Sequence, residues 1–361
     1  MKTIRQLNHI KQQIIRLGAV SESSHSYRTS LLSILREAVP FDAACCTHVD
    51  PQTLLSTGAV TEDNVESIHH HLFQIEYGED DINPYEQMVH SKVHVATLYE
   101  VTEGQPDLSA RYQKVLSPAG FEDELRAVLV HGDACWGYLT LYRKSGQPVF
   151  SLEDCEWISL MLPEIAARMR AFSLELPERN QTWLEEDYGS GIAVLSDQLV
   201  LLSSNPTADR WLEKLRSLEK IDHHILPRPI RAVSTQAINS PSESSGMAKS
   251  CIRMSDGPYL VIRASRLHAY DGQTQIAISF EPARPADMLP IIAEAYDLTK
   301  REQHLLEGVI RGLSTKELAA ELHISAYTVQ DHLKSIFAKA GVSSRRELIW
   351  HLHSRYSISE K

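Results

Sequence analysis

The sequence contains no run of eighteen apolar residues, so it offers no membrane-spanning helix. Residues 1–18 alternate polar and apolar groups and lack the apolar stretch and small-residue cleavage site of a signal peptide, so a cytoplasmic protein is expected. Cysteine is scarce, five in 361 residues. Cys45, Cys46, Cys135, Cys155 and Cys251 match neither a zinc knuckle nor a disulfide framework, and buried reduced thiols are expected. The adjacent Cys45 and Cys46 would suit a redox sensor, but no flanking cation favours a thiolate. Signatures of catalysis are missing too: no Gly-rich phosphate loop, no nucleophile elbow, no metal-binding His-Glu-x-x-His. No enzyme, cofactor or metal is therefore expected. Asp80-Asp81 lacks the parallel-sheet setting of a phospho-accepting aspartate. His69-His70-His71, with His90 and His94, cannot all face one way, and a surface or loop run is preferred to a metal or haem site.

Positive charge is also in short supply. The net charge is −11, which over the whole chain argues against a nucleic-acid partner. Its distribution reverses that reading. Residues 297–361 carry ten Lys/Arg against eight Asp/Glu, and the preceding residues carry 26 against 39. The acidity lies outside the last segment, and a local basic face is what phosphates meet.

What is present reads as three blocks. A helix is predicted over 26–39, with Leu31, Leu32, Leu35 and Val39 at helical spacing and Pro40 as its stop. Short strands follow over 43–49 and 54–60 around Asp50-Pro51-Gln52, then a helix over 62–77. The clearest strands are 126–130 and 136–142, joined by His131-Gly132-Asp133, with Gly137 leaving space beside the sheet. Ser151 is placed to cap a further helix with Asp154 three positions on. Its apolar face is Trp157, Ile158, Met161, Leu162, Ile165 and Met169, and Pro163 is expected to kink it. The stretch from Cys135-Trp136-Gly137-Tyr138-Leu139 through Phe150-Ser151-Leu152-Glu153-Asp154 resembles the GAF family of regulatory domains. That resemblance implies a small-molecule pocket between sheet and helices, or a dimerisation scaffold. Tyr77, Tyr85, Tyr99, Trp136 and Tyr138 are the candidate aromatic walls, with core or interface positions as the alternative.

In the second block, strands over 191–195 and 199–203 lead into Asn205-Pro206-Thr207-Ala208 and a helix through Trp211 and Leu212. This resembles the start of a PAS domain. Residues 227–250, rich in Pro and Ser, read as a partly mobile loop. Alternating strands over 259–265 and 274–280 are joined through Tyr270-Asp271-Gly272.

The third block holds four helices. Thr299 with Glu302, and Ser314 with Glu317, form capping boxes; Ser325 caps the third helix, and Ser343 or Ser344 the fourth. Gly312 and Gly341 are stops. Leu305, Leu306, Val309, Ile310, Leu318, Ala319, Leu322, Val329, Leu333, Ile336, Phe337, Leu348, Ile349 and Leu352 face inward. Two consecutive capped helices, the second longer and polar early on its exposed side, form a helix-turn-helix.

The run Leu298-Thr299-Lys300-Arg301-Glu302, Gly312-Leu313-Ser314-Thr315-Lys316-Glu317-Leu318-Ala319, Ile324 to Lys334 and Lys339-Ala340-Gly341-Val342 resembles the LuxR-type (NarL-type) DNA-binding domain over about 296–356. The resemblance implies double-stranded DNA as partner and a homodimer. Carried over by position, Thr328 and Lys334 are expected phosphate or base-edge contacts, and Gln330 and Asp331 sit where bases are nearest. Many members carry Lys or Arg where this chain has Gln330; Gln can still read adenine. Asp331 would be repelled by phosphate and could accept from cytosine. Lys316, His332, Arg345 and Arg346 are expected backbone anchors, or else a solvated residue, a half-buried histidine and partners of acids in their own domain.

The expected fold is multidomain. It comprises an N-terminal helix or extension (1–19), an α+β GAF-like sensor domain (20–172), a linker helix (173–187), a small α+β PAS-like domain (188–285), a connector helix (286–296) and an all-α four-helix helix-turn-helix domain (297–361). The expected function is sequence-specific transcriptional regulation by a dimer under control of a small-molecule effector or signal. The rivals are a scaffold whose front domains hold no ligand, and a sensory enzyme.

Overall fold

The computed structural model describes residues 4–77, 81–174, 189–240, 247–254, 259–268 and 273–356. The N-terminal segment is helical: α1 (Ile4–Val20) buries Ile10 and Ile14. Helix α2 (Ser24–Ala38) starts before its expected position because Ser23 and Ser26 cap it reciprocally, Ser26 N donating to Ser23 Oγ at 3.1 Å.

Strands β1 (Ala43–Val49) and β2 (Ser56–Thr61) flank a turn in which Gln52 N donates to Asp50 Oδ1 at 2.9 Å. Leu54 takes a left-handed φ of 58°, which delays β2 to Ser56. The single helix expected over 62–77 is instead two, α3 (Asp63–Glu66) and α4 (His69–Glu76). Ile68 N closes a tight turn on the Val65 carbonyl at 3.1 Å and the Ser67 hydroxyl donates to the Asn64 carbonyl, which ends α3. The histidine run is thereby split in exposure: His69 is buried, while His70 and His71 are exposed. The surface run expected there holds for two of the three.

After α5 (Tyr85–His90), β3 (Val95–Thr97) and α6 (Leu98–Val101), the long hairpin β4 (Phe121–His131) and β5 (Ala134–Lys144) completes an antiparallel sheet of order β2-β1-β5-β4-β3. A Cβ on Gly137 would lie 2.4 Å from the Thr47 carbonyl oxygen, so only glycine lets β1 and β5 approach this closely. Helix α7 (Leu152–Leu174) covers the sheet, with the Ser151 hydroxyl accepting from Asp154 N at 3.2 Å. The expected linker begins inside α7 at Ser173, and residues 175–188 lie outside those described, as do Asp80 and the Tyr270-Asp271-Gly272 turn.

The second unit repeats the strand order of the first. Strands β6 (Gly191–Ser196) and β7 (Leu201–Ser204) lead to α8 (Pro206–Glu219), where Asn205 Oδ1 accepts from Ala208 N at 2.9 Å. The loop expected over 227–250 is overturned: α9 (Arg228–Asn239) and β8 (Met247–Arg253) occupy most of it. Ile230, Val233 and Ala237 give α9 a buried face, and Pro229 is tolerated because it stands in the first turn. With β9 (Tyr259–His268) and β10 (Thr274–Pro282), the sheet runs β7-β6-β10-β9-β8.

Helix α10 (Pro285–Ala295) leads into the C-terminal bundle of α11 (Lys300–Ile310), α12 (Thr315–Glu321), α13 (Ala326–Ala340) and α14 (Arg345–Tyr356). One apolar core runs from α1, α2 and α7 through Met288 and Ile292 of α10 into the bundle. A second core centres on the β6–β10 sheet and takes in Leu55 and Phe73 from the first unit. Polar ties join the units: Cys251 N donates to Asp50 Oδ2 at 2.8 Å, and the Tyr259 hydroxyl donates to the Ser173 carbonyl at 2.8 Å. Among the described residues no helix is long and apolar enough to cross a membrane.

Candidate nucleic-acid interface and buried cavity

Each helix of the bundle begins where the sequence places a cap. Thr299, Ser314 and Ser325 accept from the backbone three residues on, and Ser344 rather than Ser343 caps α14, its hydroxyl accepting from Glu347 N at 3.2 Å. Gly341 closes α13 at φ 66°. Helices α11 and α12 cross closely, since a Cβ on Gly308 would lie 2.3 Å from Leu318 Cδ2. Buried Glu302 fixes α11 to α13. It accepts from Thr299 N at 2.8 Å, Ser335 Oγ at 2.6 Å and Lys339 Nζ at 2.7 Å. Burial opposes its charge, but the Lys339, Ser335 and Thr299 hydrogen bonds prevail and hold the carboxyl down at about 2.

With Val329, Leu333 and Ile336 buried, α13 turns Tyr327, Gln330, Asp331 and Lys334 outward. Thr328 is half-buried beside its cap, its hydroxyl 2.8 Å from Ser325 Oγ. Asp331 and Lys334 form an exposed ion pair at 3.3 Å. Lys316 and Arg346 are exposed, with no hydrogen bond or ion pair among the described residues. His332 is half-buried. Arg345 is turned inward, donating to the Leu313 carbonyl, and so braces α14 against the end of α11 rather than standing free. Tyr327, 73% exposed on the first turn of α13, was missed by sequence reasoning; its signal is an aromatic residue out of phase with the inward positions.

The front unit holds a cavity between its sheet, α4 and α5. Its volume is about 20 Å³. Tyr77, Tyr85 and Tyr138 line it as expected; Tyr85 and Tyr138 stack with centroids 4.0 Å apart. Tyr99 and Trp136 do not line it. Tyr99 sits 46% exposed at α6, and Trp136 lies on the other face of β5, in the core with α7, because a bulge opposite Val128–Val130 breaks the alternation that would have put it beside Tyr138. Tyr142, Arg111, Glu76 and His69 line the cavity and were not foreseen. Arg111 pairs with Glu124 at 2.9 Å, and Arg126 pairs with Asp81 at 2.8 Å and with Glu124 at 3.0 Å, all buried. Burial raises Asp81, but Arg126 and Arg111 outweigh it and keep the carboxyl below its usual range. Glu76 stands 3.8 Å from Arg111, too far for a hydrogen bond, and burial outweighs the arginines and pushes its carboxyl up to about 7.

A helix-turn-helix with capped, outward-facing polar positions defines a helix-turn-helix regulatory protein. The description "Bacterial regulatory proteins, luxR family" matches residues 297–352. The spore germination protein GerE of Bacillus subtilis is 40% identical over 52 residues, 14% of this chain and 70% of GerE. The chain belongs to the luxR family. The response regulator Rre1 of Synechocystis is 43% identical over 53 residues, 15% of this chain but only 23% of that protein's length. Escherichia coli SdiA overlies 96% of this chain and 97% of its own at 11% identity with a TM-score of 0.36, too weak a likeness to bear on the front units.

Proposed function

We propose that the chain is a transcriptional regulator that binds specific double-stranded DNA as a homodimer. In this reading, residues 297–361 are the reading head, and the units at 20–172 and 188–285 sense a small molecule. The carrying observation is α13: a helix with a buried stripe and an exposed stripe of Gln330, Asp331 and Lys334 fits a major groove. Lys316, Arg346 and Lys334 are then phosphate contacts, Thr328 and His332 flank the groove, Gln330 and Asp331 meet base edges, and Arg345 acts through bracing α14.

The experiment is selection of bound duplexes from a random pool by the full-length protein at about 0.15 M salt, a strength at which phosphate contacts still contribute. Enrichment of a palindromic site supports a dimer that reads sequence. Salt-sensitive binding with no enriched site leaves phosphate attraction without reading. No binding at all ends the proposal. The near-closed cavity favours a second reading, in which the front units are a scaffold filled by their own side chains.

A further inference from the structure

The cavity in the first unit carries more polar capacity than its own side chains use. Arg111 gives one N–H to Glu124, yet its Nε and Nη1 are buried without an acceptor. Nη1 stands 3.8 Å from Glu76 and 3.9 Å from Asp81, beyond hydrogen-bond range. The Glu76 carboxyl makes no hydrogen bond among the described residues. Buried His69 Nδ1 and Ser56 Oγ, on residues that also line the cavity, are likewise unpartnered. Groups like these are costly to bury unless something meets them.

The charges around them already balance. Arg111 and Arg126 face Asp81 and Glu124 in close pairs, and burial pushes Glu76 up to about 7, so that its neutral form is well populated at neutral pH. A charged guest would enter this low-dielectric space without a counter-ion. A protonated carboxyl, by contrast, offers one donor and one acceptor side by side.

We propose that this cavity binds a small uncharged molecule, one that gives an acceptor to Arg111 and a paired donor and acceptor to Glu76, with its apolar part against the tyrosines. This rests on the sensing role proposed above. The present space suits about one ordered water, so a larger guest must displace α4. That helix is shared: Glu76 and His69 line the cavity, Phe73 belongs to the core of the second unit, and Asn239 at the end of α9 donates to the Tyr77 carbonyl at 2.9 Å. Filling the cavity therefore moves an element on which the second unit is packed.

The test uses three probes with one ring and three charges: benzamide, benzoate and benzylamine, added to the full-length protein in thermal unfolding. Benzamide is expected to raise Tm by roughly 2–4 °C at ten times its Kd, and the other two not. Glu76→Gln, which keeps a donor and an acceptor, is expected to retain the shift. Glu76→Leu replaces an unpartnered carboxyl with an apolar group of similar size; it is expected to fold and to lose the shift. An equal or larger shift from benzoate or benzylamine, no shift from any probe, or a benzamide shift that survives in Glu76→Leu each overturns the proposal. Duplex binding by the same preparations reads the C-terminal head separately. Intact binding with no benzamide effect strikes the cavity alone, whereas absent binding strikes the regulatory reading.

Discussion

Glu302 receives donors from Thr299, Ser335 and Lys339, so one carboxylate sets the angle between α11 and α13, the helix proposed to read DNA. Its folded value of about 2 lies below the roughly 4.3 of a free glutamate, so the stability it contributes is complete above about pH 4.3. That contribution is lost as pH falls through about 2. Glu302→Gln is expected to cost about 1–3 kcal/mol at pH 7, because charge-assisted bonds become neutral and donors go unmet. Urea unfolding of both proteins from pH 7 down to 2 checks this: the gap must narrow on the acid side. On the outer face the contrast is electrostatic. Lys334→Ala should weaken binding to every duplex and lower the salt slope by about one, whereas Asp331→Asn should tighten binding by removing a charge that phosphate repels. Anisotropy titrations at several salt concentrations distinguish the two; identical slopes for Lys334→Ala and the parent would remove Lys334 from the phosphate contacts.

Elements were legible where their cause is local. Each capping box spans four residues, so the starts of α11 and α12 could be read directly, as could the Asn205 cap of α8. Helix α9 was hidden because its Pro-rich entry and Ser-rich exit look like loop, while its helical stripe is only Ile230, Val233 and Ala237. The cavity's ion network was hidden for another reason: Arg126 and Asp81 are 45 residues apart, and nothing in either neighbourhood announces the other. Gly137 was legible as a close approach, and its consequence can be measured. A Cβ there meets a backbone carbonyl at 2.4 Å, and backbone inside a sheet cannot swing away. At Gly308 the obstacle is the tip of the Leu318 side chain at 2.3 Å, which can change rotamer. Gly137→Ala is therefore expected to destabilise by about 3 kcal/mol or more, and Gly308→Ala by about 1–2 kcal/mol. Chemical denaturation of the two variants checks the order, and the reverse order would contradict the packing described for β1 and β5.

Across the whole molecule, the two front units meet around a half-buried carboxylate, Glu66. Glu66 of α3 receives Arg231 at 3.0 Å and also pairs with Arg228, both from α9. Arg228 has a second partner in Glu219 at 3.3 Å, whereas among the described residues Arg231 keeps the Phe73 ring, 5.7 Å from its guanidinium, and the field of Glu219 without a hydrogen bond to it. Removing Glu66 thus leaves one buried guanidinium without an ion pair and another with half its pairing. That situation typically costs about 3–5 kcal/mol. The partly exposed Arg170–Asp297 pair between α7 and the head, at 3.0 Å, is worth much less, on the order of 0.2–1 kcal/mol. Coupling between the front units should therefore be tight, and coupling to the head should rest on the apolar core through α10 instead of on that pair. Scanning calorimetry is expected to show the front units of the parent melting together, Glu66→Ala melting at lower temperature in two separate steps, and Arg170→Ala melting almost as the parent does. A single unshifted transition in Glu66→Ala would mean that apolar packing around Leu55 and Phe73 holds the units together by itself, and that α4 transmits motion through that packing alone.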